Sequence, residues 1–122
     1  MAIAKGMVSQ KVVAPSEIYL SRKRNGLLSG QKRDGFQVTD NASLASECDI
    51  IMLAVLPAQA REVVLDLQEI LQKGSKILVS VVSAVSIQEL KDWSGQGIPV
   101  VRIMPNTAAE YGASMTCVCG EE

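Results

Sequence analysis

Residues 49–82 read DIIMLAVLPAQAREVVLDLQEILQKGSKILVSVV. Asp49–Val55 is a continuous apolar run, the pattern of a strand buried on both faces. Pro57 is suited to the first turn of a helix, and Val63, Val64, Leu67, Ile70 and Leu71 then fall on one stripe. Lys73-Gly74 is a stop signal. Lys76–Val82 is a second buried strand. A strand, a helix and a strand in succession predict a right-handed crossover and a parallel pair, so the fold class is α/β.

Working outward, the same alternation continues. Ser86 with Glu89 three residues on forms a capping box that starts a short helix. Gly95-Gln96-Gly97 is a turn, and Ile98–Met104 is the last strand. Towards the N-terminus, Ile18–Leu20 and Phe36–Thr39 are strands, the second entered through Asp34-Gly35. The crossover between them carries Gly26 and Gly30, each costing about 1 kcal/mol relative to alanine in a helix, which predicts a short or frayed helix. The expectation is a single domain over residues 1–122 with a mostly parallel sheet and flanking helices.

Composition bounds the function. Lys+Arg 12 against Asp+Glu 13 gives a net charge of −1, with pI near 5.5, which argues against bulk nucleic-acid binding. No apolar run approaches the roughly 18 residues of a membrane span, and the apolar core of "MAIAKGMVSQ" is broken by Lys5 and Gly6. Cys48, Cys117 and Cys119 are odd in number and lack ligand spacing, and histidine is absent. The expectation is reduced thiols, no metal site, no histidine-based triad and a cytoplasmic setting.

Within this near-neutral chain Arg22, Lys23 and Arg24 stand in a row just past the Ile18–Leu20 strand. Ligands of parallel α/β sheets bind at the carboxyl ends of strands. An acidic residue there suits a ribose 2′-hydroxyl, whereas cations with a serine suit a 2′-phosphate, through charge-assisted bonds. On the triplet alone, a solvated charge run in a turn is the favoured reading.

"TDNASLASECDIIMLAVLPAQ", "SVVSAVSIQEL" and above all "VVRIMPNTAAEYGASMT" together resemble the N-terminal domain of the pyrroline-5-carboxylate reductase family. The resemblance runs from Met1 to the end and is strongest over Val100–Thr116. It implies a Rossmann-like dinucleotide-binding domain, NADPH (NADP) as cofactor, a small cyclic imine as substrate, and hydride transfer completing proline biosynthesis. It further implies that Ser21, Arg22 and Lys23, with Arg24 a weaker candidate, face the 2′-phosphate, and that Asn41 lies near the adenosine ribose. Ala54, Val55, Leu56 and Pro57 would pass beside the nicotinamide half, and Met104, Pro105, Asn106 and Thr107 would lie beneath the nicotinamide, close to substrate. For Met104, plain core packing is the alternative. No residue is assigned as a general acid.

The chain also departs from the family. Similar proteins carry lysine at Leu56, glycine at Ala84 and proline at Ala108. "MAIAKG" falls inside the helix that follows the family's first strand and Gly-x-Gly-x-x loop, and "CVCGEE" precedes its dimerising helical domain. The reading is an incomplete cofactor domain, inactive alone, with a non-catalytic or regulatory module as the alternative. The family's first strand lies between the Ile18 and Asp49 strands. Its loss forgoes on the order of 10 kcal/mol of burial. Compensation is therefore expected from closure of those two strands, from "SMTCVCG" filling the slot, or, as favoured, from association of copies into a homo-oligomer.

Overall fold

The structure is a computed structural model that describes residues 1–120. They form two compact units, each assembled from separated segments. One comprises Met1–Leu44 with Pro105–Thr116, and the other comprises Ala45–Met104 with the segment that starts at Cys117.

In the first unit, helix α1 (Ala2–Ser9) packs on a 3-10 helix over Thr107–Tyr111. Gly6 is buried at that contact, and a Cβ there would overlap the Ala109 carbonyl. Lys5 and Glu110 bridge the same pair of elements at 2.8 Å. Strands β1 (Tyr19–Leu20) and β2 (Gln37–Val38) form a parallel pair. The crossover between them is a 3-10 turn at Asn25–Leu28 and a five-residue helix α2 (Ser29–Arg33), as short as its two glycines predict. Helix α3 (Asn41–Glu47), not anticipated as a helix, follows β2 and runs into the second unit. Asp40 caps it by accepting from the Ser43 amide at 2.8 Å and the Ser43 hydroxyl at 2.9 Å.

The second unit carries a four-stranded sheet in the order β3 (Ile50–Leu53), β4 (Ile77–Ser80), β5 (Val100–Met104), β6 (Cys117–Gly120). The first three are parallel and β6 is antiparallel to β5. Helices α4 (Pro57–Gln72) and α5 (Ile87–Ser94) are the crossovers and pack on each other. Ala60, Val64, Leu67 and Leu71 of α4 and Leu90 of α5 are buried. They join Ile51, Leu53, Leu78 and Val100, which alternation and register put on one sheet face. The capping box forms as expected: Ser86 Oγ accepts from the Glu89 amide at 3.2 Å and Glu89 Oε2 from the Ser86 amide at 2.9 Å. Lys76 Nζ reaches back to the Ser46 and Cys48 carbonyls at 3.0 and 2.8 Å, tying the start of β4 to the entry of β3.

Two expectations are corrected. Asp49–Val55 is not buried on both faces: Ile50 and Met52 are 61% and 38% exposed, because both crossover helices lie on the opposite face. The segment Cys117–Gly120 does not occupy a place beside β3, because it pairs with β5 at the other edge of its sheet. Each within its own unit, β1 takes β2 as its ladder partner and β3 takes β4, which leaves β3 an edge strand of its sheet among the described residues. Among those residues no helix is long and apolar enough to cross a membrane.

Candidate functional site

Parallel strands that share a direction deliver their following loops to one end of the sheet. In the first unit this brings two of the expected groups together. The Leu20 carbonyl accepts from the Thr39 amide at 3.0 Å, so Ser21, Arg22 and Lys23 leave β1 beside Thr39-Asp40-Asn41 leaving β2. Arg22, Lys23 and Asn41 are exposed and Ser21 is half-buried. Asn41 opens α3, with Asp40 rather than Asn41 supplying the cap. The Ser43 amide, and then the Ser43 hydroxyl, hold the Asp40 carboxyl below its ordinary pKa, so the cap is ionised at neutral pH.

In the second unit the carboxyl ends of β3, β4 and β5 deliver Ala54–Pro57, Val81–Val85 and Met104 to one end of the sheet. Leu56 is the N-cap residue of α4 and Pro57 its first residue, with no side chain capping the helix. Leu56, where the resemblance led us to expect a lysine, is apolar and 68% exposed. Ala84 adopts φ 58°, in the left-handed region that favours glycine, the residue the resemblance led us to expect there. Val81–Val85 was not assigned to the site. Its signal in the sequence was the glycine-to-alanine departure.

Pro105, Asn106 and Thr107 return to the first unit. The Asn106 side chain caps the 3-10 helix, its Oδ1 accepting from the Ala108 amide at 3.1 Å. Its own amide donates to Ser114 Oγ at 3.0 Å, and that hydroxyl is 2.9 Å from Thr116 Oγ1. The side-chain oxygen of a residue expected close to substrate is thus engaged locally. The structure therefore forms two clusters, Ser21–Lys23 with Asn41 and Ala54–Pro57 with Met104, each within its own unit.

A phosphorylated dinucleotide fits the first cluster in part. Exposed cations at the carboxyl end of β1 suit a dianionic phosphate. A pyrophosphate wants a glycine turn between a strand and a helix N-terminus. The glycines with positive φ are Gly35, Gly95, Gly97 and Gly112, and none stands between a strand's carboxyl end and a following helix. Among the described residues that cradle is absent.

Known proteins bear on both clusters. Residues 1–84 match the family model described as NADP oxidoreductase, coenzyme F420-dependent. Over 118 residues the chain is 35% identical to pyrroline-5-carboxylate reductase 1 of Dictyostelium discoideum, a match covering 96% of this chain and 21% of that protein. A solved pyrroline-5-carboxylate reductase from Coxiella burnetii superposes with a TM-score of 0.91 at 28% identity, over 99% of this chain and 45% of that one. Plasmodium falciparum pyrroline carboxylate reductase, solved with NADP bound, gives 0.86 at 25% identity, over 99% and 44%. The chain thus spans about a fifth of the first relative's length and under half of each solved chain.

Proposed function

Because the chain belongs to the NADP oxidoreductase, coenzyme F420-dependent family, we propose that it is the cofactor-binding part of an NADPH-dependent reductase of the pyrroline-5-carboxylate type. One observation carries this reading: a basic pair, Arg22 and Lys23, stands exposed at the carboxyl end of β1 beside the exit of β2. Arg22 makes charge-assisted bonds to the 2′-phosphate and Lys23 adds a point charge, while Ser21 donates its hydroxyl. Asn41 borders the ribose. By the resemblance, Ala54–Pro57 and Met104 serve the nicotinamide side within the second unit, and Pro105–Thr107, in the first unit, the substrate. When bound, the cofactor would supply the hydride, and solvent the proton, that convert a cyclic imine to a cyclic amine, leaving NADP⁺.

Activity of the intact enzyme requires parts that the described residues do not supply. The chain alone therefore binds cofactor through its 2′-phosphate end and does not turn over. It works as a homo-oligomer in the cytoplasm. The missing glycine turn and the occupied Asn106 amide favour a second reading, a non-catalytic module that keeps the sheet.

Titration of the chain with NADPH and NADH, followed by fluorescence or calorimetry, tests the assignment. NADPH binds more tightly, and Arg22→Ala weakens it selectively, by about 1–3 kcal/mol for a lost bond to a charged group. Equal weakening of both cofactors identifies the triplet as a solvated turn, and the second reading then stands.

A further inference from the structure

The pairing of β6 with β5 brings three sulfur-bearing side chains onto one sheet face. Side chains alternate across a strand, so Cys117 and Cys119, two apart in β6, point the same way. Two strand rises separate their Cα atoms by about 6.6–6.8 Å, and their near-parallel Cβ atoms are similarly spaced, well beyond the roughly 3.5–4.5 Å of a disulfide. Met104 is the register partner of Cys117, which puts its thioether on the same face. Directly opposed residues have Cβ atoms about 4.5–5.5 Å apart, and a long side chain also reaches the diagonal neighbour, here Cys119. All three residues are exposed and belong to the second unit. Arg102 is the partner of Cys119, and its Nε is buried without a hydrogen bond.

We propose that Cys117, Cys119 and Met104 form a binding site for a soft monovalent metal ion, copper(I). Thiolate and thioether donors select copper(I) over harder ions. A tetrahedral zinc site would need further thiolate, imidazole or carboxylate ligands. The chain has no histidine, and among the described residues no group of three or more His, Cys, Asp or Glu is placed to hold a metal. Binding releases one proton from each of two thiols and forms two copper–thiolate bonds, with no change in oxidation state at copper or sulfur. The bis-thiolate complex carries one negative charge, which the Arg102 guanidinium across the strand pair offsets. The spacing of the two cysteines alone supplied too few donors to read as a site; β5 supplies the third. Cys48 stands apart, at the end of α3, where burial pushes its thiol pKa up.

Anaerobic titration of the whole chain with copper(I), in competition with the chromogenic chelator bicinchoninate, tests the site. The chain retains one equivalent, shows ultraviolet thiolate-to-copper absorption, and releases the ion as pH falls. Cys119→Ser abolishes retention against the chelator, and Cys48→Ser leaves it unchanged. Met104→Leu weakens it by about 100-fold or more, beyond the roughly 10–100-fold that loss of an outer-shell partner costs, and X-ray absorption counts two sulfur ligands instead of three. Circular dichroism checks the fold of each variant. No retention by the unmodified chain, retention unaltered in Cys119→Ser, or zinc held as tightly as copper(I) would overturn the proposal. Binding by Met104→Leu indistinguishable from the unmodified chain would remove the thioether from it.

Discussion

Ala84 holds a left-handed backbone, φ 58°, that costs a residue with a Cβ about 1–2 kcal/mol. Ala84→Gly relieves that strain and loses some of the gain to the freer unfolded chain. We expect a stabilisation of about 1 kcal/mol, read as a raised urea midpoint with an unchanged slope. An unmoved or lowered midpoint would show that the loop bears no strain. The sequence marked this position as a departure from the glycine of the family it resembles, and the structure makes the cost one of backbone conformation. Asn106 teaches the same lesson. The resemblance put it close to substrate, yet its side-chain carbonyl is equally suited to the nearest orphan amide, and it caps its own 3-10 helix. The chemistry of a side chain is legible in sequence; which of two partners it takes depends on the local turn.

Helix termini set the acid limit of the fold. Asp40 and Glu89 each accept a backbone amide and then a hydroxyl, from Ser43 and Ser86 respectively, and both carboxyls are held below their ordinary pKa. A depressed folded pKa contributes stability that is present above the unfolded value, about 3.9–4.3, and lost as pH falls through the folded value. Lys5 runs the other way: the Glu110 hydrogen bond raises its pKa, so that contribution is present below about 10.4 and lost as pH rises further. Denaturation midpoints should therefore fall below about pH 4, and Asp40→Asn should flatten that descent. At the α1 contact, Gly6→Ala forces a methyl group onto the Ala109 carbonyl. Overpacking of this kind costs about 1–3 kcal/mol, more than the helix propensity of alanine returns, so the midpoint should drop. The long amphipathic α4 and the capped α5 were readable because periodicity and capping chemistry are local. β1 and β2, two residues each, were readable from short apolar runs, whereas α3, seven residues without a repeated stripe, carries too little pattern. The four residues of β6 became a strand only through β5.

The four-stranded sheet ends at β3, an apolar edge with Ile50 largely exposed. Such edges recruit further strands. Sedimentation at micromolar concentration should show association, and Ile50→Lys should shift the population towards monomer. A monomer that Ile50→Lys leaves unchanged would exclude the edge as an interface. The parallel core was legible at this scale because strand and helix periods alternate along the sequence. The two-unit division was not, since neither unit is a continuous stretch of chain. That division also links distant contacts. Residues 105–116 leave β5 and re-enter at β6, and between those strands they build the 3-10 helix that packs on α1. They are thus the closing loop of a strand pair and, in another unit, the packing partner of α1 at once. Ordering a loop in advance removes much of the entropy that pairing its ends must otherwise overcome. The α1 contact and the β5–β6 ladder therefore share a common free-energy term. Gly6→Ala should speed deuterium uptake at the β6 amides, far along the chain from the substitution.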